Sequence, residues 1–255
     1  MDILLTNDDG IGGTGLRVLY DALSAIGDVL VVAPANDKSA VGRALSTEVR
    51  VEEREIGYAL EGTPADCVVA GLEAIGPYPD LVVSGCNNGV NLGAYTLGRS
   101  GTVSAAVEAA FFDVPAIATS LYVPVDQWPE EPEPAAFEDA ARATTYLAEH
   151  AMDAGVFEHA DYLNVNAPGS AGGPAPMAVT RPSRTYDMDA TRGDDGTITL
   201  HDRVFDRMAD GTVEEPEGTD RRAVMDGAVS VSPLTAPHTT ERHEALDALA
   251  ETYSP

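Results

Sequence analysis

Ile3-Leu4-Leu5-Thr6-Asn7-Asp8-Asp9-Gly10 holds the pattern on which the fold turns. An apolar run that passes directly into paired acids and a glycine is a buried strand ending at a polar rim. The pattern repeats outward. Apolar residues at helical spacing over 16–25 precede a second buried strand over 29–33, which Pro34 stops. Thr63-Pro64 opens a helix over 65–75, with Thr63 as N-cap and Pro64 at the first helical position. A strand over 81–84, a small-residue helix over 100–111, a strand over 115–120, a helix over 135–152 and a strand over 162–166 follow. Short strands alternating with helices of this length give an α/β fold, a mostly parallel sheet with helices on both faces. Asp8 and Asp9 then fall at the carboxyl end of the first strand, where open parallel sheets bind ligands.

Residues 1–168 are expected to form the α/β core, with an extended excursion over 44–61 and a Pro- and acid-rich interruption over 124–134. Residues 169–220 alternate weakly, are rich in turn signals and hold few apolar residues to bury against themselves. They read as a β-rich arm or hairpin region used in oligomerisation. Residues 221–255 return as a strand over 228–231 and a helix over 241–252, on the core or on a partner subunit.

The 255 residues include 42 Asp and Glu against 15 Lys and Arg, a formal net charge of -27. Such a surface repels nucleic acid and anionic lipid, which excludes an electrostatic binder of either. Fourteen of the basic residues are Arg, and Lys38 is the one Lys. This balance suits molar salt, where the Debye length is about 3 Å and self-repulsion is screened. A hydrophobic content of 44% excludes a disordered acidic chain. Cys67 and Cys86 form no C-x-x-C pair and fit a reducing compartment. No apolar run reaches the roughly 20 residues of a membrane span, and the N-terminus lacks a signal-peptide core. The expected location is the cytoplasm.

Two adjacent carboxylates at a strand end repel unless a cation or proton lies between them. A hard divalent ion, Mg²⁺ or Mn²⁺, meets that need through oxygen ligands; a solvated acidic turn is the plainer alternative. Gly10 to Gly15 also matches the G-x-G-x-x-G dinucleotide fingerprint, with Asp37 near the ribose position. Yet Asp8 and Asp9 would face the pyrophosphate and oppose it. Ser39, after the second strand, offers a hydroxyl to a metal or a phosphate. The loop Ser84 to Gly93 brings Asn87, Asn88 and Asn91, whose carboxamides offer oxygens to a metal and N–H groups to a phosphate. Ser100-Gly101-Thr102 opens a helix, where free N–H groups, the helix dipole and two hydroxyls can hold an anion, and Arg99 adds positive charge beside them. Taken alone, each of these is a turn or a cap. Together they lie on one rim and suggest a phosphate held between a metal and a helix N-terminus. The histidines show no metal spacing; His238, before the last helix, is a weak candidate for a general acid. A phosphoryl-accepting receiver would need a third Asp where Ser84 stands and a Lys after a later strand, and neither is present.

The same residues resemble the SurE family, the survival-protein-E nucleotidases. The similarity runs through Ile3 to Ile11, Val31 to Pro34 with Ser39, Gly62 to Val68, and Pro79 to Gly85 with Asn87 and Gly89. It continues in Asn91 to Gly93 and Ser100 to Ala106, and more weakly in Leu163 to Asn166, Thr180-Arg181 and Val229 to Leu234. The resemblance implies a Rossmann-like core with a C-terminal extension exchanged between subunits in homodimers or homotetramers. It also implies a metal-dependent phosphatase acting on nucleoside 5′-monophosphates, often on 3′-monophosphates too. Carried over by position, one divalent cation per subunit would be held by Asp8, Asp9, Ser39 and Asn87. Asp8 or Asp9 would orient the attacking water, while Asn91, Ser100, Gly101 and Thr102 would hold the phosphate. The chain departs from the family pattern at Ala35, where many members have Asp. The segment between Gly93 and Ser100 is one residue longer than in common bacterial members, and Arg99 stands where they have Tyr or His.

Overall fold

The structure is a computed structural model that describes residues 1–123, 132–169 and 174–236. The expected helix over 241–252, His238 and most of the 124–134 stretch lie outside the described residues. Strands β1 (Asp2–Thr6), β2 (Asp28–Pro34), β3 (Val51–Arg54), β4 (Gly57–Leu60), β5 (Leu81–Asn87), β6 (Ala116–Tyr122), β7 (Tyr162–Pro168), β8 (Met177–Val179) and β11 (Val229–Leu234) form one nine-stranded sheet. Its order is β3-β4-β2-β1-β5-β6-β7-β11-β8. The run from β4 to β7 is parallel; β3 and β11 are antiparallel to their neighbours β4 and β7. The sequence order reverses at β1, which lies between β2 and β5. That is the topological switch point of the sheet, and its carboxyl end opens a crevice.

Alternation along β1 assigns its two faces. Ile3 and Leu5 join one core with Leu16, Leu19 and Leu23 of α1 (Thr14–Leu23) and Leu147 of α5 (Glu138–His150). Leu4 joins a second core with Val68 of α2 (Pro64–Ala70) and Val103 of α4 (Gly101–Phe111). The expected capping of α2 is present as a reciprocal box: the Asp66 amide donates to Thr63 Oγ1 and the Thr63 amide to Asp66 Oδ2. The regular helix is shorter than expected, and a wider turn over Gly71–Ile75 completes it. The excursion over 44–61 contains the β3–β4 hairpin, which extends the sheet edge beside β2.

Gly15 shows why α1 begins with glycines. A Cβ there would lie 2.1 Å from the carbonyl oxygen of Cys86 on β5. The last glycine of the fingerprint-like segment thus serves close helix–strand contact, one of the roles a glycine has in such a motif. Backbone cannot yield as a side chain can. Gly15→Ala is therefore expected to cost about 3 kcal/mol, the upper end of ordinary overpacking, measured by urea denaturation in molar KCl.

The segment after β7 is more structured than its sequence suggests. β9 (Met188–Arg192) and β10 (Ile198–Asp202) form a separate antiparallel hairpin. Two short helices follow, α6 (Arg203–Ala209) and α7 (Asp220–Met225), neither legible in the sequence. The few apolar residues of this segment bury in a small third core shared with its neighbours. Val204, Met208, Val213 and Val224 close on Leu92 from the Asn-rich loop. That loop itself continues into a one-turn helix, α3 (Ala94–Leu97).

Candidate active site

Residues after β1, β2 and β5 and at the start of α4 meet at the crevice. They border a cavity of about 320 Å³. Asp8, Ser39, Asn87, Asn91 and Ser100 line one part of it, and Tyr95, Arg99, Asp202 and Phe205 another. Asp202 and Phe205 come from the arm; no local sequence signal marks residues a hundred positions from Arg99 as part of the same wall.

The loop after β1 is fixed by Asn7, whose side chain donates to the Gly10 carbonyl and accepts from the Gly10 amide. Gly10 itself has a φ of 97°, which a side chain would strain. Asp8 is almost fully buried. Its Oδ1 accepts from Thr102 Oγ1 at 2.6 Å and its Oδ2 from the Thr102 amide at 3.1 Å. Gly101 is a glycine because a Cβ there would come within 2.8 Å of Asp8 Oδ2. The start of α4 is therefore built around this carboxylate. The sequence reading put Thr102 on a phosphate; the structure gives both of its polar groups to Asp8. Ser100 lines the cavity, and its Oγ caps α4 by accepting from the Val103 amide.

Asp9 accepts from the Asn88 amide at 2.9 Å, which joins the β1 loop to the β5 loop. Ser39 donates through both its amide and its hydroxyl to Asp37 Oδ1. Asn87 Nδ2 donates to the Gly89 carbonyl at 2.7 Å, so of its two side-chain polar atoms Oδ1 is the one that could face a cation. Asn91 is buried and held from three directions. Its Nδ2 donates to Ser120, its amide donates to Asn166 Oδ1, and its carbonyl accepts from Asn164 Nδ2.

Electrostatics single out the acid pair. Burial pushes the Asp8 carboxyl above its ordinary range, against the two Thr102 bonds, and Asp37 adds to the rise. Burial likewise raises Asp9 to about 6, with the neighbouring Asp8 and Asp37 charges adding to it. No Lys or Arg among the described residues pairs with either acid. A divalent cation is the chemical complement of two such groups. Among the described residues no three Asp, Glu, His or Cys side chains group as a metal cluster. A cation held here would have two carboxylates at most and would need neutral oxygens, such as those of Ser39 and Asn87, to complete its shell. Oxygen donors of this kind fit Mg²⁺ or Mn²⁺. Cys67 and Cys86 are buried free thiols.

Fold and rim together define a doubly wound α/β protein with an acidic, oxygen-rich site at its switch point. The sequence model of the family described as Survival protein SurE matches residues 3–189. The chain is 66% identical to the 5′-nucleotidase SurE of Haloarcula marismortui, over 99% of this chain and 95% of that protein. It is 41% identical to the 5′-nucleotidase SurE of Archaeoglobus fulgidus, over 92% of this chain and 91% of that protein. The crystal structure of the SurE protein from Aquifex aeolicus matches with a TM-score of 0.81 at 32% identity, covering 98% of this chain and 100% of that one. The chain belongs to the SurE family.

Proposed function

We propose that this chain is a cation-dependent 5′-nucleotidase that hydrolyses nucleoside 5′-monophosphates, and 3′-monophosphates as well, to nucleoside and phosphate. The observation that carries the reading is the pair of buried Asp8 and half-buried Asp9, with no basic partner among the described residues, at the switch point beside the N-terminus of α4. The names of the relatives from Haloarcula marismortui and Archaeoglobus fulgidus point to the same chemistry.

Asp8, Asp9, Ser39 and Asn87 would hold one Mg²⁺ or Mn²⁺ per subunit. When bound, that ion supplies charge for the phosphoryl oxygens and lowers the pKa of a water. The remaining work falls to the chain. Asp8 or Asp9 orients the attacking water by accepting its hydrogen bond. Asn91, fixed by Ser120, Asn164 and Asn166, orients the phosphate. Ser100 and the Gly101 amide offer hydrogen bonds at the helix N-terminus, where a developing negative charge is stabilised. Thr102 borders the same anion position and keeps Asp8 aligned. The cavity beyond, toward Tyr95 and Phe205, has room for the nucleoside.

The -27 charge is an adaptation to molar salt in the cytoplasm. No described helix is long and apolar enough to cross a membrane. Residues 1–168 act as the catalytic core, and the 169–220 arm joins subunits in a homodimer or homotetramer. Ile198 and Leu200, 61% and 71% exposed on β10, are apolar surface that a partner subunit would cover. Phosphate release from a panel of 5′- and 3′-nucleotides in molar KCl, beside p-nitrophenyl phosphate, tests the reading. Turnover of 5′-monophosphates above the generic ester is the expected result. Absence of release from every nucleotide contradicts it.

A further inference from the structure

Arg99 differs from most basic residues of this protein. Arg43, Arg142, Arg203, Arg207, Arg221 and Arg222 each lie against an acid. Acids outnumber bases 42 to 15, so a partner is easily found. Among the described residues the Arg99 guanidinium nonetheless has no ion pair, and it stands 5.4 Å from the centre of the Tyr95 ring. It is the one basic residue among the described residues lining the cavity, where Asp8 and Asp202 also contribute charge. Its backbone adjoins Ser100, the cap of α4, so the guanidinium and the helix N-terminus serve the same space.

The Tyr95 ring is itself fixed. Its hydroxyl donates to Asp202 of the arm, and its edge meets Tyr186 with centroids 5.1 Å apart. A guanidinium resting on a fixed aromatic face is pre-organised yet keeps its donors free. Planar donors of this kind match phosphate oxygens bidentately. A cavity bordered by carboxylates in so acidic a chain repels an anionic substrate, and molar salt removes any attraction from a distance. Only a contact pair survives such screening.

We infer that Arg99 is a substrate-binding, specificity-determining residue that grips the phosphate of the nucleotide in the ground state. The inference rests on the phosphatase reading and adds to it a residue that makes phosphate monoanions and dianions preferred over uncharged ligands of the same cavity. Tyr95 is its positioning residue.

The test compares wild type, Arg99→Gln and Arg99→Lys in molar KCl with Mn²⁺, reading kcat and KM for a nucleoside 5′-monophosphate and competitive inhibition by inorganic phosphate and by the free nucleoside. Arg99 is exposed, so the variants should fold. Arg99→Gln is expected to raise KM and the phosphate inhibition constant together by about 10- to 100-fold, as loss of a charge-assisted contact does. Its kcat should stay within about threefold, because the interaction is made equally in ground and transition state. Nucleoside inhibition should be unchanged, and Arg99→Lys should recover part of the loss. An unchanged phosphate constant overturns the inference, as does a shift confined to the nucleoside. If wild type hydrolyses no nucleotide, the phosphatase reading fails by itself. Calorimetric titration of wild type and Arg99→Gln with inorganic phosphate then still decides the role of Arg99: equal affinities overturn it, and a 10-fold or larger loss, about that of one charged hydrogen bond, supports it.

Discussion

Asp8→Asn is expected to lower phosphate release by at least about 100-fold, more than loss of an outer partner of a metal ligand does, and yet to stabilise the cation-free protein. The fold tolerates the change because Thr102 can reverse its hydroxyl. The asparagine Oδ1 accepts from the Thr102 amide, and its Nδ2 donates to Thr102 Oγ1, which now donates to Asp8. What disappears is a buried negative charge. The pH dependence follows from the sign of the shifts. A carboxyl raised in the folded state binds its proton more tightly there than in the unfolded chain. The stability it adds is fully present below the unfolded pKa and is lost as pH rises through the folded value, about 6 for Asp9. In molar KCl, with chelator, wild type should therefore melt higher at pH 5 than at pH 7.5. Asp8→Asn should narrow that difference and abolish the gain in Tm that Mn²⁺ gives wild type at pH 7.5. A variant with a full Mn²⁺ gain would contradict the ligand role of Asp8.

Arg221→Met is expected to cost about 3–5 kcal/mol, the usual effect of removing one partner from a buried ion pair. Arg221 and Glu215 are both without side-chain exposure, at 3.2 Å. Arg221 also donates to Ser183 Oγ and to the carbonyls of Thr185 and Leu92. Beside it, the buried Asp220 accepts from the amides of Gly93, Ser183 and Arg221. Gly93, with a φ of 85°, leaves no room for a side chain: a Cβ would lie 2.3 Å from Arg221 Nη2. This cluster ties the arm to the loop that carries Asn91, Tyr95 and Arg99. Its loss should therefore loosen the site as well as the fold, raising KM in the surviving folded fraction. Urea denaturation in molar KCl reads the stability. A change under about 1 kcal/mol would show that the pair is replaceable by packing, as some buried pairs are.

The core of the fold was legible because its signals are local. The alternation in β1, the Thr63-Pro64 cap of α2 and the Ser100 cap of α4 each occupy a few consecutive residues and appear where the sequence places them. The gathering of Asp8, Ser39, Asn87, Asn91 and Ser100 on one cavity follows from the same pattern, since parallel strands carry their carboxyl ends to one edge. Thr102 was harder: a hydroxyl at a helix start serves an anion or a neighbouring carboxylate equally well, and only the approach of Asp8 to Gly101 separates the two. The arm was least legible. α6 and α7 have seven and six residues, too few for a helical period to stand out, and their core depends on Leu92, more than a hundred positions away. Asp202 and Phe205 were missed for the same reason. His238 lies outside the described residues.

The proposed divalent cation at Asp8 and Asp9 would drive phosphoester hydrolysis at the edge of this cavity. The direct measurement is phosphate release from a nucleoside 5′-monophosphate by protein dialysed against chelator in molar KCl, with Mn²⁺ or Mg²⁺ then restored, in wild type and Asp8→Asn. No release is expected after chelation, with recovery on restoring the ion to wild type and none in Asp8→Asn. Undiminished release by the chelated wild-type protein, or full recovery in the variant, would contradict it.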